Sequence, residues 1–214
     1  TVAFTATASS VRVQQVSFAG NVTLSGTGGV YFTMCQSGAI SITKSGAGYL
    51  EMNTCDFSSA TSMPMSAGVT VVNTSKLAAV AVSGTAAVSL NNCIQVVAPS
   101  ASAGTLLVNN CYVYATTAAG TALTTSGTAT IVIQNSTCFD PSNNLTKITL
   151  GGAAYTLTDV VFNQPASTIS GTNANFTPWF DTINLINALA VANGGTGATN
   201  ASGARTNLQT NLIP

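Results

Sequence analysis

Five carboxylates, Glu51, Asp56, Asp140, Asp159 and Asp181, and five cysteines, Cys35, Cys55, Cys93, Cys111 and Cys138, are the residues of this chain with chemistry to offer. Cleaving a glycosidic bond takes two carboxylates facing each other across it. Nothing in the spacing of the five forces such a meeting. Glu51 falls on an outward position and Asp56 follows a turn, so solvated surface acids are the plainer reading. His is absent altogether, which removes the usual general base and the commonest metal ligand. No two cysteines stand in CxxC spacing, which argues against a metal site. The expectation is a non-enzymatic chain with no catalytic, cofactor-binding or metal-binding residues.

What the cysteines do reveal is a repeat. Their separations are 20, 38, 18 and 27 residues, and 38 is nearly twice 19. Midway through the long gap stands Ser75, preceded by Asn73 and Thr74 as Cys55 is preceded by Asn53 and Thr54. Alignment on this small anchor residue gives VRVQQV (11–16), VYFTMC (30–35), LEMNTC (50–55), TVVNTS (70–75), VSLNNC (88–93) and LLVNNC (106–111). A further copy, IVIQNSTC at 131–138, places Cys138 at the anchor only if two extra residues are allowed near the turn.

Within each copy apolar side chains recur two residues apart, the period of a strand with one buried face. One inward column is Val11, Val30, Leu50, Thr70, Val88 and Leu106; a second is Val13, Phe32, Met52, Val72, Leu90 and Val108. Between them lies the outward set Arg12, Tyr31, Glu51, Val71, Ser89 and Leu107, whose apolar members fit either simple exposure or cover by a neighbouring chain. The anchors Val16, Cys35, Cys55, Ser75, Cys93 and Cys111 read as an inward column of small core residues. Stacked cysteines such as Cys35 with Cys55 would stand within disulfide range, but the exchange of Cys for Ser75 and Val16 favours plain packing. Two residues before the anchor, Asn53, Asn73, Asn91 and Asn109 are expected to mark a bend. Asn tolerates left-handed backbone there, and its amides can bond from rung to rung as a ladder.

Glycine-bearing punctuators, SGTGG (25–29), SGAG (45–48), SAG (66–68), SGT (83–85), SAG (102–104) and SGT (126–128), precede the copies, and short β-type runs precede the punctuators. A unit of this length cannot bury its own apolar face, so such units stack. The prediction is an all-β parallel β-helix, or β-solenoid, over residues 1–163, of about seven rungs rising roughly 4.8 Å each. Residues 164–190 read as a linker and capping segment with a short helix begun by Thr177 and Pro178.

Composition agrees with a stiff, uncharged stack. Hydrophobic residues make up 46% of the chain and charged residues 5%, and five basic residues cancel five acidic ones. No basic surface is available for nucleic acid, and no apolar run reaches the length needed for membrane insertion.

Residues 191–208 read VANGGTGATNASGARTNL. Gly194, Gly195, Thr196, Gly197, Ala198, Thr199, Ala204, Arg205, Asn207 and Leu208 resemble the GGTGAT-type segment of bacteriophage tail fibre and tail spike proteins. Asn200, Ser202 and Gln209 depart from its commoner Thr, Ala and Gly. The resemblance covers residues 191–214 as a separate segment. It implies a structural component of a virion tail that contributes to host attachment. By the same resemblance the component would be a homotrimer, assembled in the host cytoplasm beside other phage tail proteins and facing a host surface glycan or receptor. Two other readings are a secreted bacterial β-helical adhesin, which should carry a signal peptide unlike the opening TVAFTATASS, and a polysaccharide-cleaving spike.

Overall fold

The computed structural model describes residues 1–7, 9–115, 121–139, 147–150, 155–162, 168–171 and 175–177. Regular structure among them is entirely β. Turn one of the solenoid is β1 (Val2–Phe4), β2 (Val11–Gln14) and β3 (Ser17–Phe18). Turn two is β4 (Val22–Leu24), β5 (Val30–Thr33) and β6 (Gln36–Ser37); turn three is β7 (Ile42–Lys44), β8 (Tyr49–Asn53) and β9 (Asp56–Phe57). Turn four is β10 (Met63–Met65), β11 (Val69–Asn73) and β12 (Lys76–Leu77), and turn five is β13 (Val80–Val82), β14 (Ala87–Asn91) and β15 (Gln95–Val97). Turn six is β16 (Ser100–Ala101), β17 (Thr105–Asn109) and β18 (Tyr112–Tyr114).

Beyond turn six the second and third strands merge. Turn seven is β19 (Thr121–Thr125) and the long β20 (Thr130–Phe139), which pairs with both β17 and β18. Pairing then continues through β21 (Lys147–Leu150), β22 (Tyr155–Phe162), β23 (Thr168–Gly171) and β24 (Asn175–Thr177). The first strand of each turn joins one nine-stranded sheet and the remaining strands join a fifteen-stranded one. The chain is thus an all-β solenoid in which each strand pairs in parallel with its counterpart one turn away.

The core lies inside the coil and changes character along it. Both inward columns read from the sequence are buried from turn two onward, Phe32, Leu50, Met52, Leu90, Leu106 and Val108 completely. In the first three turns Phe4, Phe18, Phe32 and Phe57 form one aromatic cluster, with centroids 5.3 to 6.4 Å apart. Ser37 lies between Phe18 and Phe57 in its column, and its small side chain lets those two rings meet at 6.4 Å. Higher turns carry aliphatic and small residues instead, among them Leu77, Val80, Val96, Val113 and Ala122.

The structure departs from the sequence reading at four places. Ser136, not Cys138, is the anchor of turn seven: Gln134 pairs with Asn109, and the Cys111 N–H donates to Ser136 Oγ at 3.1 Å. The copy therefore aligns without extra residues, and Cys138 sits opposite Val113, two positions further on. Val16 is 38% exposed and so lies outside the buried anchor column that begins at Cys35. Asn53, Asn73, Asn91 and Asn109 are the last residues of their strands, and the left-handed residue is the next one along. Finally, strand pairing extends past residue 163 into the expected linker, and Thr177 ends a strand. The remainder of the expected helix lies outside the described residues.

Candidate functional site

The corner that immediately precedes each anchor repeats in every turn from one to seven. Gln15, Met34, Thr54, Thr74, Asn92, Asn110 and Asn135 all adopt φ between 50° and 56°, a region that side chains other than Asn and Gly enter at a cost of about 1–2 kcal/mol. From turn two onward each anchor side chain ties this bend from within. Cys35 donates to Thr33 O at 3.5 Å, Cys55 to Asn53 O at 3.4 Å, Ser75 to Asn73 O at 2.8 Å and Cys93 to Asn91 O at 3.6 Å. Cys111 donates to Asn109 O at 3.2 Å and Ser136 to Gln134 O at 2.8 Å.

The anchors also accept. Ser75 Oγ takes the Cys55 N–H at 3.0 Å, and Cys111 Sγ takes the Cys93 N–H at 3.4 Å. A small side chain with one X–H donor and a lone pair is what this position uses, which explains why Cys and Ser exchange there. Burial pushes the Cys55 thiol up to about 11, and the bond with Cys93 together with burial raises Cys111. Protonated, buried thiols of this kind are inert structural donors.

Outside the same corner the amides stack. Asn73 Nδ2 donates to Asn53 Oδ1 at 2.9 Å and Asn91 Nδ2 to Asn73 Oδ1 at 3.2 Å; Asn109 Oδ1 accepts from Asn135 Nδ2 at 3.4 Å. A second rung of the same kind joins the left-handed Asn110 to Asn92 at 2.8 Å.

The outer face of β2, β5 and β8 gathers the most chemically capable side chains. In-register pairing puts Arg12, Tyr31 and Glu51 in one column. The Arg12 guanidinium lies 5.0 Å from the centre of the Tyr31 ring, and the Tyr31 and Tyr49 rings are 5.8 Å apart. Glu51 accepts from the Tyr49 hydroxyl at 3.0 Å and from Asn53 Nδ2 at 2.7 Å. Burial first, then the bond to Glu51 and that carboxylate's charge, push the Tyr49 phenol up. The patch presents two aromatic faces, a cation and a carboxylate held by neutral donors. In the turns above, the same columns hold Val69 and Val71, then Ala87 and Ser89, then Thr105 and Leu107.

Asp56 stands across the Thr54 bend from Glu51, on β9. It accepts from the Ser58 hydroxyl at 2.6 Å and from its N–H at 3.2 Å, and Lys76 Nζ is 3.8 Å away. Partial burial alone would raise this carboxyl; the Ser58 bonds and the Lys76 charge outweigh it and hold the group below the usual carboxylate range. Glu51 and Asp56 are thus each engaged with their own partners. Of the other acids, Asp159 lies in β22, and Asp140 and Asp181 lie outside the described residues, as do Gly194, Gly195, Thr196, Gly197, Ala198, Thr199, Arg205, Asn207 and Leu208.

Sequence reasoning found Glu51, Tyr31 and Arg12 as an outward column but not Tyr49 or the role of Asn53 beside them. Those two belong to neighbouring columns, and only lateral packing on the sheet surface unites them. Comparison with protein-family models, with curated proteins and with solved structures gave no match.

Proposed function

We propose that the chain is a structural, non-enzymatic component of a bacteriophage tail fibre or tail spike, acting as a homotrimer in the virion and contributing to attachment to the host. The observation that carries this reading is the GGTGAT-type segment, Gly194–Leu208. The solenoid supports it independently, because a stack in which each strand bonds to the turn above and below makes an extended element without relying on surface charge. The half-buried Val71 and Leu107, with the exposed Val69 on the same face, and the exposed Tyr112 on β18 across the bend, offer apolar surface for contact between subunits or with other tail proteins. The Arg12–Tyr31–Tyr49–Glu51 patch offers a polar aromatic surface for a host glycan or receptor.

A structural role fits the carboxylates better than polysaccharide cleavage does. Glu51 and Asp56 have separate partners on opposite sides of a left-handed bend, where a glycosidase would turn two carboxyls toward one bond. Assembly in the host cytoplasm follows from the tail-protein reading. The test is the native mass by light scattering with far-ultraviolet circular dichroism. A β-rich trimer is expected, and a stable β-rich monomer would overturn the fibre assignment.

A further inference from the structure

Lys44 is a charged residue in an apolar column. It pairs in register with Leu24 below and Met65 above, and it is 2% exposed. Its Nζ donates to Gly46 O at 2.9 Å and to Ala67 O at 2.5 Å, the carbonyls of two successive glycine corners. The position has a reason in the chain. Between the inward residue of the first strand and that of the second, the corner spans residues 25–29 in turn two and 45–49 in turn three but only 66–69 in turn four. Ser66 N–H still reaches Lys44 O at 2.9 Å, after which the shorter corner falls out of step. The lysine side chain bridges that change by taking one carbonyl from each corner.

Among the described residues no carboxylate pairs with this charge. The residues that line the cavity beside Lys44 come from β1, β4, β5, β8 and the corners of turns one to three; Tyr49 is the other titratable group among them. Its hydroxyl is given to Glu51 on the outer face. An ammonium carries three N–H donors and a neutral amine two. The two carbonyls match the neutral amine and leave the third proton of the ammonium without an acceptor among the described residues.

We propose that Lys44 is a proton-sensitive pin between turns three and four: gain of a proton by its amine loosens this corner of the solenoid, and loss of that proton tightens it. Burial pushes the amine below the ordinary 10.5, in the sense the geometry requires. In that case the unfolded chain holds the proton more tightly than the folded one. The penalty is fully present below the folded-state pKa, fades as pH rises from there, and is gone above the unfolded value. Cys55 and Tyr49 are raised groups that act in the opposite sense at alkaline pH, and they cancel when two proteins sharing them are compared.

The test is the melting temperature of the full chain and of Lys44→Met, measured side by side from pH 6 to pH 10. The melting temperature of the variant relative to the native chain should be highest at pH 6 and fall by about 3 °C or more toward pH 10. A gap of the same size at both ends would overturn the proposal, because a purely steric or apolar effect has no such slope. Should Lys44→Met fail to fold, the 13Cε resonance of Lys44 in the native protein decides. Titration well below 10.5 supports the pin, and titration at the ordinary lysine value refutes it.

Discussion

The two corners of each turn reverse the same chain by different means. At the asparagine corner one residue takes a left-handed conformation in every turn from one to seven, whatever its type, Met34 and Thr74 as well as Asn92. From turn two onward an anchor hydroxyl or thiol ties the bend from inside, and from turn three onward side-chain amides line its outside. At the glycine corner the length is the same in turns two and three but shorter in turn four, and among the described residues positive φ there is confined to Gly68, Gly84, Gly104 and Gly127. A corner locked by side chains thus keeps its length while its residue types vary. A corner that depends on bare backbone varies in length and needs glycine where it bends most.

The most severe way to break the first corner is to put a charge in its anchor. Cys93→Arg would bury an unpaired guanidinium in a site that is 0% exposed. We expect no soluble folded protein on expression, and a folded product would refute the register. At the second corner, Gly104→Ala sets a Cβ 2.3 Å from Ala86 O at a φ of +76°. A loss of about 2 kcal/mol or more in urea denaturation is expected, against no measurable loss if the corner simply relaxes. The mildest change sharpens the contrast. Ser75→Ala removes the donor to Asn73 O and leaves the Cys55 N–H without its acceptor, at about 1–2 kcal/mol, whereas Ser75→Cys should recover most of that. If Ala and Cys behave alike, the anchor is selected for size and not for its hydrogen bonds.

The same contrast explains what could be read in advance. The inward columns and the parallel stack were legible because alternation and a spacing of about 19 residues survive in the chain. The Asn53–Asn73–Asn91 amide ladder was legible too, since identical residues recur at one position. The anchor of turn seven was misplaced on Cys138 because a shared element, sulfur, stood in for a shared function. Once the hydrogen bond is the criterion, Ser136 takes the position and the gap disappears. Ile94 is a case of the opposite kind. It is an extra residue between Cys93 and the inward Val96, where turn four goes from Ser75 to Leu77, and it emerges 51% exposed. No local signal marks it, because only pairing with the neighbouring turn shows that the strand has one residue too many.

By itself the sequence determined the period, the faces and the low charge of this protein, because each depends on residues a fixed distance apart along one chain. Tertiary structure alone decided which residue goes left-handed, which anchor donates to which carbonyl, and how Arg12, Tyr31, Tyr49 and Glu51 meet on one surface. It also decided that Lys44 points inward to bridge two corners of unequal length. These are relations between successive turns, fixed by lateral register and burial. Residues 18 to 26 positions apart become neighbours only when the coil has closed.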